Sequence, residues 1–159
     1  MSLTDCHDRL AEAFCIVSKQ DVSSLFEEAR TTLQADAHMT DLLRDIKHTS
    51  PQGSDAEGVK VYLMSNMSKE DIDYLQGLEF PWDVLDGTFA SGYSSMRKPD
   101  LKFFEYVLKE IHMDDRPEDV LFIDDQLQNI EAAEELGICG VQFRSGSETA
   151  KVVRGLLGM

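Results

Sequence analysis

Between Thr4 and Lys47 apolar residues recur every three or four positions, and beyond Val59 the pattern changes to short apolar runs alternating with amphipathic stretches. In the first region Leu10, Phe14 and Val17 share a helical face. Val22, Phe26, Ala29 and Leu33 share another after a cap at Ser18 or Asp21, and Met39, Leu42, Leu43 and Ile46 share a third over Asp36–Lys47. Three short amphipathic helices are predicted. The stretch Thr49–Gly58 has the composition of a loop and marks the one internal boundary. It divides a helical cap-like segment, residues 1–50, from an α/β region, residues 51–159, within one compact unit.

The second region reads as strands alternating with helices. Val59–Met64 is a β-rich run ending in the polar pair Ser65 and Asn66, and Ser68 with Asp71 forms a capping-box-like start to a helix through Leu78. Val84–Ala90 is a weaker strand. Pro99 opens a helix in which Leu101, Phe104, Val107, Leu108 and Ile111 recur at helical spacing. Val120–Ile123 is a buried strand, and Leu127, Ile130, Ala133 and Leu136 line a helix stopped by Gly137. Gly140–Phe143 is a last strand, and Val152, Val153, Leu156 and Leu157 suit a closing helix. This alternation predicts right-handed crossovers and a mostly parallel sheet.

Composition narrows the function. With 30 acidic against 15 basic residues the chain carries a formal charge of −15, a field that repels nucleic acid and anionic membrane. An anion site in such a field needs local positive charge or a divalent cation. Cys6, Cys15 and Cys139 are odd in number and match no metal-ligand spacing, which favours a reducing cytoplasm over a disulfide framework. His7, His38, His48 and His112 are scattered without partners and read as surface residues. Trp82 reads as a packing residue. No apolar stretch reaches bilayer length, and the N-terminus lacks a basic region followed by an apolar run.

In an open parallel sheet, ligands bind beyond the carboxyl ends of the strands, where two predicted strands here carry polar residues. Ser65 and Asn66 end one, and their hydroxyl and amide can hold a phosphoryl oxygen. Asp124 and Asp125 end another, and paired carboxylates hold Mg²⁺ through hard oxygen ligands. Lys98, before Pro99 at a helix start, supplies a cation to the same anion. Each has a duller structural reading: Ser65 and Asn66 as turn residues, Asp124 and Asp125 as a helix N-cap, Lys98 as a solvated side chain. Their occurrence in this order, at the mouths of successive strand–helix units, favours the functional reading.

Those three stations resemble the haloacid dehalogenase superfamily of phosphatases, dehalogenases and related hydrolases, over roughly Val59–Phe143. The resemblance implies a three-layer Rossmann-like α/β fold with a small helical cap. It implies that Ser65 holds the transferred group, that Lys98 neutralises nucleophile and phosphate, and that Asp125 binds Mg²⁺ with Asp124 supporting. Asn129 resembles the polar residue that steadies Lys98 or the metal shell. The chain departs from the family at one point: members begin with an apolar strand ending in Asp-x-Asp, whose first Asp attacks the substrate, and no such strand is legible here. Asp71-Ile-Asp73 has the spacing but stands in a helical start, where first-turn charge is its expected role.

In the family fold the missing first strand lies mid-sheet, between the strands bearing Ser65 and Asp124. Its loss leaves two apolar edges for a second copy or a partner chain to pair. The resemblance therefore implies a hydrolase scaffold for small phosphorylated or halogenated molecules, without classical activity on its own. A non-catalytic protein pairing through exposed sheet edges is the alternative. Similar Ser-Asn and Arg-Lys-Pro-Asp signatures in fungal proteins, some terpene cyclases among them, leave room for a biosynthetic role on a diphosphate.

Overall fold

The structure, a computed structural model, describes residues 3–14, 19–49 and 58–159. Three helices lead, α1 (Leu3–Phe14), α2 (Lys19–Thr31) and α3 (Ala37–Thr49), close to the predicted spans. The expected cap at Ser18 lies outside the described residues, and for α3 the cap is Asp36. Its carboxylate accepts from the Met39 amide at 3.1 Å and its carbonyl accepts from Thr40 at 2.9 Å. His7 departs from the expected surface position. It is 8% exposed, bonded through Nδ1 to the Ser23 hydroxyl at 3.1 Å, with its ring 4.6 Å from that of Phe26. The α1–α2 contact covers the apolar body of the imidazole, which spacing along one helix does not reveal. His38, His48 and His112 are exposed, as expected.

The remaining elements alternate: β1 (Tyr62–Ser65), α4 (Lys69–Gln76), β2 (Gly87–Ala90), α5 (Ser91–Ser94), α6 (Leu101–Glu110), β3 (Leu121–Asp124), α7 (Leu127–Glu135), β4 (Cys139–Gln142) and α8 (Gly146–Leu157). Ser68 caps α4, accepting from the Asp71 amide at 3.1 Å. The run expected as one strand from Val84 divides: Trp82–Val84 forms a 3-10 turn and only Gly87–Ala90 pairs. Between them Asp86 bonds Val61, its carboxylate accepting from the Val61 amide and its own amide donating to the Val61 carbonyl, both at 2.7 Å. Pro99 does not open α6. Asp100 caps it, accepting from Lys102 at 3.1 Å, so the proline stands one residue outside.

The sheet is parallel throughout and comes in two halves. β1 pairs with β2 and β3 pairs with β4, and neither pair is hydrogen-bonded to the other. Shared helical layers hold them side by side. On one face Leu42 and Ile46 of α3 and Ala150 and Val153 of α8 cover Val61, Leu121 and Ile123. On the other, Phe104 and Leu108 of α6 and Ala132 and Ala133 of α7 cover Met64, Val120 and Phe122. The helix α3 therefore belongs to a layer against the sheet. Its neighbour α8 runs alongside, tied at the far end by Arg154 to Asp45 at 2.5 Å.

The backbone alternation tells which groups face the division. The Met64 carbonyl of β1 is taken by Lys98 from outside the β1–β2 pair, so Tyr62 and Met64 face away from β2 and residues 63 and 65 face it. Val120 accepts from Cys139 and Asp124 from Phe143, so Leu121 and Ile123 face away from β4. Among the described residues, two rows of backbone groups that pair with no further strand thus border a slot between β1 and β3.

Gly92 locks the turn after β1 in place. Its amide donates to Met67 at 3.0 Å, and a Cβ there would collide with the Lys69 nitrogen and stand 2.8 Å from the Ser68 carbonyl carbon. Because the obstacle is backbone, Gly92→Ala is expected to destabilise the fold by about 1–3 kcal/mol, measured by urea unfolding. An unchanged midpoint would mean that this turn is free to shift.

Candidate functional site

The chain between α5 and α6 delivers Lys98 to the mouth of the slot. Ser95, at φ 58° in the left-handed region, ends α5, and the Lys98–Pro99 peptide is cis. Asn66, just past β1, brackets the Lys98 backbone: the Lys98 amide donates to Asn66 Oδ1 and Asn66 Nδ2 donates to the Lys98 carbonyl, both at 2.8 Å. The ammonium group then reaches across the slot. It donates to the Met64 carbonyl of β1 at 2.9 Å and to Asp124 Oδ2 of β3 at 2.6 Å, and lies 5.4 Å from the centre of the Phe122 ring. Lys98 is 7% exposed and Asp124 8%, so this is a buried ion pair joining the half-sheets at their carboxyl ends.

Burial alone would push the Asp124 carboxyl up. Hydrogen bonds from Lys98, from the Asn129 amide at 2.9 Å and from the Gln126 backbone at 2.8 Å, together with the Lys98 charge, outweigh it and hold the group below the usual carboxylate value. A carboxylate whose pKa is lower folded than unfolded stabilises the fold fully above its unfolded value, about 4, and loses that contribution as pH falls through the folded value. Urea unfolding should therefore show stability declining on acidification below pH about 4, with a shallower decline in Asp124→Asn. Equal declines in the two proteins would remove Asp124 as a cause.

Ser65 stands between Met64 and Asn66, both of which bond Lys98, and its hydroxyl has no hydrogen-bond partner among the described residues. The backbone amides of Asn66 and Met67 are likewise untaken there. These are donors of the kind that hold phosphoryl oxygens. Asp125, next to Asp124, is exposed; one of its carboxylate oxygens accepts from Gln126 Nε2 at 2.9 Å, and its carbonyl accepts from Gln142 Nε2 at 3.2 Å. Hydrogen bonds therefore join four of the residues singled out in the sequence, Asn66, Lys98, Asp124 and Asn129, while Ser65 and Asp125 adjoin them along the chain without a hydrogen bond to the cluster among the described residues. The structure makes Asp124 the ion-pair partner and leaves Asp125 facing outward.

The donor set suits a hard cation only in part. No group of three or more His, Cys, Asp or Glu residues gathers among the described residues. With the Asp124 carboxylate committed, Asp125 is the carboxylate left for a metal. Asn129 Oδ1 is a buried acceptor without a partner among the described residues, while its Nδ2 donates to Asp124. Mg²⁺ is commonly held by one or two carboxylates together with substrate phosphate and water, and Asp125 matches that minimum.

The Asp71-Ile-Asp73 spacing carries no site. Asp71 binds Arg30 of α2 at 2.5 Å and the Ser68 hydroxyl at 2.7 Å, and Asp73 accepts from the Tyr93 hydroxyl at 3.3 Å. An open cleft of about 880 Å³ between α3 and the Leu78–Val84 segment contains none of the site residues. Its Lys47 is already paired with Asp86 at 2.5 Å. Gln126 and Gln142 were not legible as site residues, because their contacts depend on how β3 and β4 meet.

Comparison with known proteins bears on the family and the fold. A sequence profile of haloacid dehalogenase-like hydrolases matches residues 5–137. The chain is 35% identical over 154 residues to the sesquiterpene phosphatase astK of Aspergillus oryzae, a match covering 97% of this chain and 73% of that protein. It is 37% identical over 154 residues to the drimenol cyclase drtB of Aspergillus calidoustus, covering 97% of this chain but 28% of that protein. In fold it resembles the magnesium complex of a HAD family enzyme from Bacteroides thetaiotaomicron, with a TM-score of 0.71, 22% identity, and 97% and 75% of the two chains covered. The chain belongs to the haloacid dehalogenase-like hydrolase family.

Proposed function

We propose that this chain is a phosphatase-type scaffold for small phosphorylated molecules, lacking its own nucleophile, with a prenyl phosphate or diphosphate as the favoured substrate class. The observation that carries the reading is Lys98, whose buried ammonium joins β1 and β3 by bonding Met64, the residue before Ser65, whose hydroxyl is untaken among the described residues. Ser65 and the Asn66 and Met67 amides hold the phosphoryl oxygens, and Lys98 offsets negative charge as the bond to phosphorus changes. When bound, Mg²⁺ would supply further positive charge at the phosphate, with Asp125 as its protein ligand. None of the four described strands ends in Asp-x-Asp. The attacking carboxylate comes, on this reading, from a strand seated in the slot. The prenyl class rests on the two fungal relatives, one a sesquiterpene phosphatase and one a drimenol cyclase.

The test is a phosphate-release assay of the chain alone with p-nitrophenyl phosphate and a sesquiterpenyl phosphate in Mg²⁺, alongside ³¹P NMR of binding. The expected result is binding that Ser65→Ala weakens, with release no faster than in Ser65→Ala. Turnover above that control would overturn the missing nucleophile, and absence of binding would overturn the site.

A second reading is a non-catalytic protein that pairs through its sheet edges, favoured by the backbone groups of Tyr62, Met64, Leu121 and Ile123 that border the slot. It predicts concentration-dependent association in sedimentation velocity, or a partner strand in the slot. A monomer at every concentration that gains no stability from Mg²⁺ would count against pairing between copies and against a retained metal site.

A further inference from the structure

We infer that Asn66 is a positioning residue: its side-chain amide fixes the backbone of Lys98 and thereby sets where the ammonium group meets Asp124 and a bound phosphoryl group. The inference rests on the reading of the site just given and assigns Asn66 a role distinct from substrate contact. The sequence suggested that this amide holds the anion. In the structure Oδ1 and one N–H of Nδ2 are both spent on Lys98, on its amide and its carbonyl, each at 2.8 Å. A planar amide engaged at both ends fixes orientation as well as distance.

Lysine needs such a device. Its four-carbon stem carries large rotamer freedom, and a buried ammonium is stabilised only where its acceptors are met closely. Here the far end is held by Met64 and Asp124, 34 and 26 residues away in sequence. The near end is held by Asn66, 32 residues away, at the same end of β1. The bonds within its own loop, such as Met96 to the Ser94 hydroxyl at 3.2 Å and Asp100 to the Arg97 carbonyl at 3.0 Å, do not touch the Lys98 backbone among the described residues. Among the described residues Asn66 is thus the tie between that backbone and the end of β1, and on this reading anion contact rests chiefly on Ser65 and the amides of residues 66 and 67.

Acylation of Lys98, read by mass spectrometry against exposed Lys102 in the same molecule, tests this without substrate or turnover. Wild-type Lys98 should be protected. Asn66→Ala, which removes both hydrogen bonds to the Lys98 backbone, should raise its labelling about ten-fold or more. Asn66→Asp, which keeps an acceptor for the Lys98 amide and loses the donor to its carbonyl, should fall between. Gly140→Ala serves as a control for general loosening, because a Cβ there would stand 2.6 Å from Ile130 Cγ2, within the β4–α7 contact. It should leave Lys98 protected at the same loss of thermal stability. Equal labelling in wild type and Asn66→Ala, or an equal rise in Gly140→Ala, would overturn the inference. Should Asn66→Ala fail to fold, Asn66→Asp against Gly140→Ala decides by the same criterion. A negative result here leaves the phosphate-binding result standing, and the converse also holds.

Discussion

Lys98→Ala is expected to destabilise the protein by about 3–5 kcal/mol, because it removes one partner of a buried ion pair and leaves the Asp124 carboxylate uncompensated. The side chains concerned are 9% and 5% exposed, so water cannot take over the lost contact. The Met64 carbonyl loses its donor at the same time. Urea unfolding at neutral pH measures the loss, and a partner substitution identifies its cause. Lys98→Met combined with Asp124→Leu should be far less damaging than the sum of the two single changes, since both charges leave the interior together. Additive losses would mean that the pair is not the energetic link between the half-sheets.

Phe104→Ala carries the second large effect, about 3–5 kcal/mol for emptying a full aromatic side chain from a packed core. Phe104 is 1% exposed and meets Phe122 edge-to-face, with ring centres 5.2 Å apart at 85°. Phe122 is in turn the ring beside which the Lys98 ammonium lies. The cavity therefore opens directly beneath the site, and the loss should come with faster acylation of Lys98. Phe104→Leu, which retains most of the volume, should cost less in stability and leave that labelling near wild type. A Phe104→Ala protein as stable as wild type would contradict the placement of this ring at the centre of the layer formed by α6 and α7.

Much of the fold was legible because its signals are local. The apolar run before Asp124 reads as β3, and Gly137, at φ 87°, ends α7 where its residue type predicts. Ser68 caps α4 through a bond three residues long. What escaped depends on contacts distant in sequence or on segments too short to show a period. The helix α5 is four residues, one turn, and no periodicity can announce it. The strand expected from Val84 was cut short because Asp86 bonds Val61 and Lys47, an arrangement visible only once β1 and α3 lie beside it.

At the site, residue type announced Ser65, Lys98 and the two aspartates, but not how they divide their work. Either carboxylate can end a strand and face a cation. Asp124 became the partner of Lys98 because it is the one turned inward, with Asn129 and the Gln126 amide already holding its other oxygen. That the Lys98 backbone, 32 residues on, takes Oδ1 and one N–H of the Asn66 amide could not be read from the sequence either.

Amide hydrogen exchange followed by NMR, residue by residue along β1 and β3, tests most directly whether an unfilled slot separates the half-sheets. With the slot open, the amides of Tyr62, Met64, Leu121 and Ile123 exchange orders of magnitude faster than those of Leu63, Phe122 and Asp124, which face bonded neighbours. Uniform protection along both strands would show these edges paired and contradict the account.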